Sequence, residues 1–333
     1  MNRPFLGSAA VETGLLTKRE LRAEYRAVYR GVYLANEVAL TPRLRAEAAW
    51  LFAGPGAVLC GLSAAAVHGT KWLHVNAPAE VVRTNRHAPA ELQVRSYVLA
   101  PEDVCEVGGM RVTSVTRTAF DLGRLLPEAE AVPVLDALLN ATGLDPAQVW
   151  ALAAVNRGIR GVDRLRVSLA QADGGSESPL QTQTRRLLRR TGVPGLETQI
   201  PFYDEWGLVC TRAAMGWPRW KVAVECDEEA DAPDYREWVH SHTAELESRG
   251  WSVIWVTKAT AKGQGSPGTV VLRAWEKLSA AQRRRGRRGG RLSADRGTPI
   301  SSGRGPDQRT DQGRRLREGY FQTAAPPDLQ ETR

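Results

Sequence analysis

The 333-residue chain lacks most of the features that mark secreted, membrane or cofactor-binding proteins. Its four cysteines, Cys60, Cys105, Cys210 and Cys226, lie far apart with no CxxC pair. That spacing argues against a disulfide framework or a zinc site, and a reducing cytoplasm is the expected compartment. No apolar run reaches the length of a spanning helix. The richest, "AAWLFAGPGAVLCGLSAAAVHG" (48–69), is broken by Gly-Pro and dominated by alanine, so no membrane association is expected. The opening "MNRPFLGSAAVETG" has no charged leader followed by an apolar block, and no secretory signal is expected. There is no Ser-His-Asp pattern and no nucleotide or flavin fingerprint. The segment "ADGGSESP" (172–179) lacks the lysine and the preceding strand of a phosphate-binding loop.

Basic residues outnumber acidic ones by 8, but the excess is local. Residues 281–333 hold 13 Arg against 6 Asp or Glu, leaving residues 1–280 almost neutral. This C-terminal run, opening "AQRRRGRRGGRLSADRG", is poor in apolar residues and rich in Arg, Gly, Ser and Pro. Such a composition does not bury enough surface to offset ordering entropy, and a disordered tail is expected. Its arginines, Arg283, Arg284, Arg285, Arg287 and Arg288 first among them, would contact nucleic-acid phosphates without sequence preference. A solvated extension of little consequence is the alternative.

The remainder reads as two α/β parts. Residues 1–171 form a mixed region: a helix capped by Thr17 and Glu20, an extended Tyr-Val-Tyr piece, and a helix behind Thr41-Pro42. Helical spacing over Val58–His68 follows, with strands near 81–83, 92–98 and 110–115 and a helical C-terminal portion. "RGVYL" (30–34) suggests the wing of a partial winged helix at 15–35, with Arg30 placed to meet phosphate. Beyond the Gly/Ser breaker, residues 176–280 read helix, three strands, helix, strand, helix. That order makes a small sandwich with a mixed sheet.

The informative stretch is "TRAAMGWPRWKVAVECDEEAD" (211–231). If the hairpin turns about Pro218–Trp220, residue 214 lies opposite residue 225, and cross-strand partners share a face of the sheet. Glu225 and Asp227, two apart, share that face too. Two strand carboxylates converging with a third position are what a divalent-metal site needs: hard oxygen ligands on rigid elements. Alternatively the two acids simply close a strand at its polar end. His240 and His242, two apart on a helix, point in different directions and are not expected to bind a metal. His68, ending an alanine-rich helix, reads as structural.

The pieces "FLGSAAV", "LTKRELRAEYRAVYRGVYL", "GLSAAAVHGTKW", "VTSVTRTAFDLGR", "SPLQT", "TQIPFYDEWG", "MGWPRWKVAVECD" and "RGWSVIWVT" keep their order across most of 1–280. Together they resemble a bacterial family with an AbiEi-type antitoxin-like N-terminal region. Behind it comes a domain similar to the very-short-patch-repair (Vsr) endonucleases, of the PD-(D/E)XK restriction-endonuclease-like fold. The resemblance implies an α-β-β-β-α-β sandwich, DNA as partner, Mg2+ as cofactor and a setting in defence or toxin–antitoxin systems.

It also exposes losses. Where the family pattern has a Glu at the Ser-Pro helix start, this chain has Gln181; where it has an Asp before Gly-Trp-Pro, it has Ala214. The His expected after the strand falls near Asp231, and Ser241 stands where the following helix should carry an Asp. Glu225 and Asp227 survive as remnant catalytic residues and metal ligands. Gln181 can still close a helix cap, but a methyl group at 214 offers no lone pair, so any Mg2+ site should be weak or absent. Glu228, Glu229 and Asp231 follow the strand, where loop acids place ligands loosely. The expectation is a nucleic-acid-associated protein with a degenerate, inactive nuclease-like domain. The rivals are a working Mg2+-dependent endonuclease using Glu225 and Asp227, and a protein-partner role without nucleic acid.

Overall fold

Residues 5–35 fold as one small module. Strand β1 (Phe5–Leu6) leads into helix α1 (Gly7–Glu12), a turn, helix α2 (Lys18–Glu24) and the hairpin β2 (Tyr25–Tyr29) and β3 (Val32–Ala35). The three strands lie in the order β1-β3-β2. The T-x-x-E spacing does form a capping box: Thr17 Oγ1 accepts the Glu20 N–H at 3.2 Å, and the Glu20 carboxylate accepts the Thr17 N–H at 2.8 Å. Helix α2 and the β2–β3 hairpin fall within the expected 15–35 segment, with β1 and α1 in front of them. Helix α1 has only six residues and no side-chain cap, so packing rather than propensity holds it. A Cβ on Gly7 would come within 2.5 Å of the Tyr33 ring, and glycine is what lets the helix start against β3.

Described are residues 1–227, 233–257 and 267–294 of this computed structural model. The chain divides into two units, Met1–Thr182 and Gln183–Arg333. In the first, helix α3 (Pro42–Ala53), strand β4 (Val58–Leu59), helix α4 (Gly61–Val67), strands β5 (Ala79–Val82), β6 (Leu92–Arg95), β7 (Val104–Val107) and β8 (Met110–Thr113) follow the N-terminal module. The strands form a sheet of order β6-β5-β4-β8-β7. Its core is made by Leu59, Val81 and Val112 of the sheet with Ala46, Ala49 and Ala64 of the two helices. The continuous helical reading of Val58–His68 is corrected here. Val58 and Leu59 pair with Val82 and Val81, and Gly61, at φ +53, turns the chain into α4.

Helices α5 (Val115–Leu125), α6 (Glu128–Thr142), α7 (Pro146–Val155) and α8 (Val162–Gln171) build a second core around Phe120, Leu135 and Leu165. Within it Asp121 is wholly buried and accepts from Arg117 Nε at 2.9 Å and Arg124 Nε at 2.7 Å. Arg117 also donates to Asp103 at 2.6 Å. Both guanidinium groups lie over the rings of Tyr97 and Phe120. His68 is structural as expected, its Nε2 facing the Thr113 carbonyl at 2.8 Å; burial pulls its pKa down, favouring the neutral ring.

The division between units falls inside helix α9 (Pro179–Arg189), a few residues beyond the Gly/Ser segment at 172–179. Asp136 explains the shift, because its carboxylate accepts both the Asp173 N–H (2.7 Å) and the Thr182 hydroxyl (2.6 Å). The breaker is tied to the first unit.

The second unit continues with β9 (Glu197–Tyr203), β10 (Val209–Trp217), β11 (Val222–Asp227), α10 (Pro233–Ser248), β12 (Ser252–Thr257) and α11 (Pro267–Ala294). The sheet order is β12-β11-β10-β9, with β11 and β12 parallel and the other pairs antiparallel. The α-β-β-β-α-β order expected for 176–280 is the one that forms. One boundary is corrected: α11 does not end near Leu278 but continues to Ala294, so Arg283, Arg284, Arg285, Arg287 and Arg288 sit on helical backbone. Val270, Ala274 and Leu278 recur every four residues and are buried, anchoring its first turns. Arginine and alanine then carry the helix across glycines that cost about 1 kcal/mol each. The rest of the expected tail, 295–333, lies outside the described residues. Among the described residues no helix is long and apolar enough to cross a membrane.

Candidate functional site

The hairpin of β10 and β11 turns through a 3-10 segment, Pro218–Trp220, and Lys221 closes it at φ +52. Its ladder pairs Trp217 with Val222, Gly216 with Ala223 and Met215 with Val224, the register read from the sequence. The next step would pair Ala214 with Glu225. There a side chain intervenes: the Ala214 N–H donates to the two Glu225 carboxylate oxygens at 3.2 and 3.3 Å. Ala214 and Glu225 are thus brought together, and both are buried.

The third member is a residue that sequence reasoning set aside. His242 of α10 places Nε2 at 3.2 Å from Glu225 Oε1, and its Nδ1 lies 3.2 Å from the Thr211 hydroxyl of β10. A neutral imidazole offers one donor and one acceptor nitrogen, so this ring can link the Glu225 carboxylate to the Thr211 hydroxyl. The imidazole stacks on Trp238 (centroids 4.8 Å apart, planes at 8°) and meets Trp255 edge-on at 6.3 Å. Trp255 is the β12 partner of Glu225 in the parallel register, and its indole N–H donates to Thr243 at 3.0 Å. A hydroxyl, an imidazole, a carboxylate and a backbone amide therefore form one chain, walled by two tryptophans. The discarded signal was helical spacing. His242 lies four residues from both Trp238 and the buried Leu246, so it shares their stripe.

Asp227 ends β11 opposite Thr257 of β12 and is half-buried. Glu228, Glu229 and Asp231 lie outside the described residues. Ser241 is exposed, as is His240. Gln181 belongs to the first unit. Its N–H donates to Ser178 Oγ at 3.2 Å and its side-chain oxygen accepts the Glu177 N–H at 2.9 Å. The cap expected of Gln181 forms, with Glu177 rather than Ser178 as the returning donor. Arg30 is exposed at the tip of the β2–β3 hairpin, and Arg283 and Arg284 are exposed on α11.

Glu225, as it is placed, does not fit as a ligand of a resident Mg2+. That ion takes near-octahedral oxygen ligands and keeps several waters. Both Glu225 oxygens already accept the Ala214 amide, one of them also faces an imidazole, and the residue is only 5% exposed. A cation here would have to displace hydrogen bonds that already satisfy the carboxylate.

Two proteins of Mycobacterium tuberculosis, one from strain CDC 1551 / Oshkosh and one from strain ATCC 25618 / H37Rv, resemble the chain. Each is 28% identical over 257 residues, covering 75% of this chain and 91% of its own length, and each is described only as an uncharacterised protein. No family model and no solved structure matches the chain.

Proposed function

We propose that the chain is a DNA-binding protein whose C-terminal unit is a nuclease-like domain that no longer cuts. The observation that carries the binding half is the β1-α1-α2-β2-β3 module. It exposes Lys18, Arg19 and Arg22 on α2, while Leu21 faces inward, and it holds Arg30 exposed at the hairpin tip. Positions 18 and 22, and 19 and 22, are neighbours on a helix surface, so α2 presents one basic face. This face supports reading the module as a winged helix-turn-helix, with α2 as the element for the major groove and Arg30 on the wing. The arginines of α11 add attraction that does not depend on sequence.

The non-cutting half rests on Glu225. Its carboxylate accepts an amide and faces an imidazole, and Ala214 offers a methyl group where a bridging ligand would stand. Asp227 remains as the second acid of the lapsed site. A defence or toxin–antitoxin setting accords with such a protein.

Fluorescence anisotropy on duplex DNA over a salt series tests the binding half. Lys18→Ala/Arg19→Ala/Arg22→Ala should weaken binding and lower the slope of log affinity against log salt by about 0.9 for each phosphate no longer neutralised. An unchanged slope and affinity would remove α2 from the interface.

A further inference from the structure

The first unit contains a second feature that the DNA reading does not use: an open cleft of about 970 Å³ at the end of β5 and along the segment after β6. Its lining includes Arg83, Thr84, Asn85, Arg86, Ser96 and Arg111, and no Asp or Glu lines it. Three arginines thus line one space that no carboxylate residue lines.

The rest of the unit shows that this is not the chain's habit with arginine. Arg95 is paired with Glu80 at 2.7 Å, and Arg117 and Arg124 are paired with Asp103 and Asp121 at 2.6 to 2.7 Å. Among the described residues no ion pair involves Arg83, Arg86 or Arg111. Glu106 is the cross-strand partner of Arg111 in the β7–β8 register, yet the two are not within ion-pair distance. Arg83 is held in place instead of neutralised: its guanidinium lies 5.6 Å from the centroid of Phe52, and one of its nitrogens donates to the His87 carbonyl. Its Nε is buried without a partner. Arg86 is steadied by Ser96, whose Oγ accepts at 3.1 Å. Three like charges gathered round one cleft repel each other unless an anion joins them. Arginine, with its planar fork of donors, is the side chain suited to phosphate. The floor, which includes Ala57, Val58 and Val82, is apolar, and the volume is in the range of small-molecule sites.

We infer that this cleft binds a small phosphate-bearing molecule. Arg83, Arg86 and Arg111 hold the phosphate groups, Thr84, Asn85 and Ser96 supply further hydrogen bonds, and the apolar floor takes the remainder of the ligand. Inorganic polyphosphate and a nucleotide share the recognised chemistry; the apolar floor distinguishes them.

Calorimetry on the full chain with inorganic pyrophosphate and with ADP tests it. Because the arginine-rich C-terminal run also attracts anions, two variants of equal charge change are compared. Arg83→Gln/Arg86→Gln/Arg111→Gln removes the cleft charges; Arg157→Gln/Arg160→Gln/Arg164→Gln removes three charges elsewhere in the unit. The cleft variant should weaken binding of at least one probe about tenfold or more, and the control should change it less than about twofold. Tighter binding of ADP than of pyrophosphate assigns the source to nucleotides, and equal binding assigns it to bare polyphosphate. Should Arg83→Gln disturb folding through the loss of its stacking on Phe52, Arg86→Gln/Arg111→Gln, at exposed positions, carries the same expectation. No binding of either probe, or equal loss in cleft and control variants, would overturn the inference.

Discussion

His242 and Ala214 meet the same carboxylate, one through its imidazole and the other through its backbone amide. Removing the imidazole leaves Glu225 buried with one partner fewer, and a buried polar group left unsatisfied costs about 1–3 kcal/mol, more when charged. His242→Ala should therefore lower stability by about 2–3 kcal/mol, whereas His242→Gln, which keeps a donor, should lose less than half of that. Urea denaturation of the two variants measures the difference; equal losses would mean that His242 contributes packing against Trp238 and Trp255 and nothing to Glu225. Ala214→Asp tests the lapsed site directly. A carboxylate introduced beside Glu225 at a buried position should lower the melting temperature in EDTA and make it responsive to Mn2+. Saturation at about 100 times Kd would return about 2.7 kcal/mol. Thermal scans with and without Mn2+ check this, and a variant indifferent to the ion would show that position 214 does not face a metal position. Elsewhere, Cys60 is wholly buried, and burial beside Glu80 and Asp121 pushes its thiol far up. It should resist alkylation in the native state at about pH 8 while the exposed Cys210 reacts.

At the scale of elements, α2 depends on its cap. The Thr17 amide and hydroxyl both donate to the Glu20 carboxylate and hold its pKa below the usual 4.5. A depressed carboxylate stabilises the fold above its unfolded pKa, and that contribution is lost as pH falls through the lower folded value. Helix α2 should fray in acid, as pH falls below the usual carboxylate range. Glu20→Gln should keep the helix at neutral pH, since glutamine also closes the box, and should abolish the acid response. Amide exchange across residues 18–24 reads both effects. Much at this scale was legible in the sequence: the T-x-x-E cap, the Ser178 helix start, and the 214/225 register implied by a turn centred on Pro218–Trp220. What was missed has physical causes. Helix α1 is too short to show periodicity and exists because Gly7 fits under Tyr33. Strand β4 is two residues long and hid inside an alanine-rich helical pattern. Helix α11 outran its reading because arginine favours helix even where apolar content vanishes.

For the whole molecule, the site was half legible. Ala214 and Glu225 could be brought together by strand arithmetic alone, because a hairpin converts sequence distance into register. The contribution of His242 comes from a helix packed over the sheet, and no local spacing gives that distance. The charge distribution was visible in composition, but not that part of the arginine run is helical. These features meet in one claim: DNA is bound and not cut. Supercoiled plasmid incubated with the full chain in Mg2+ and in Mn2+, run on a gel before and after removal of the protein, tests it in a single experiment. The account predicts retarded plasmid before removal and intact supercoiled plasmid afterwards in both ions. Nicked or linear plasmid after removal, or no retardation before it, would contradict the account.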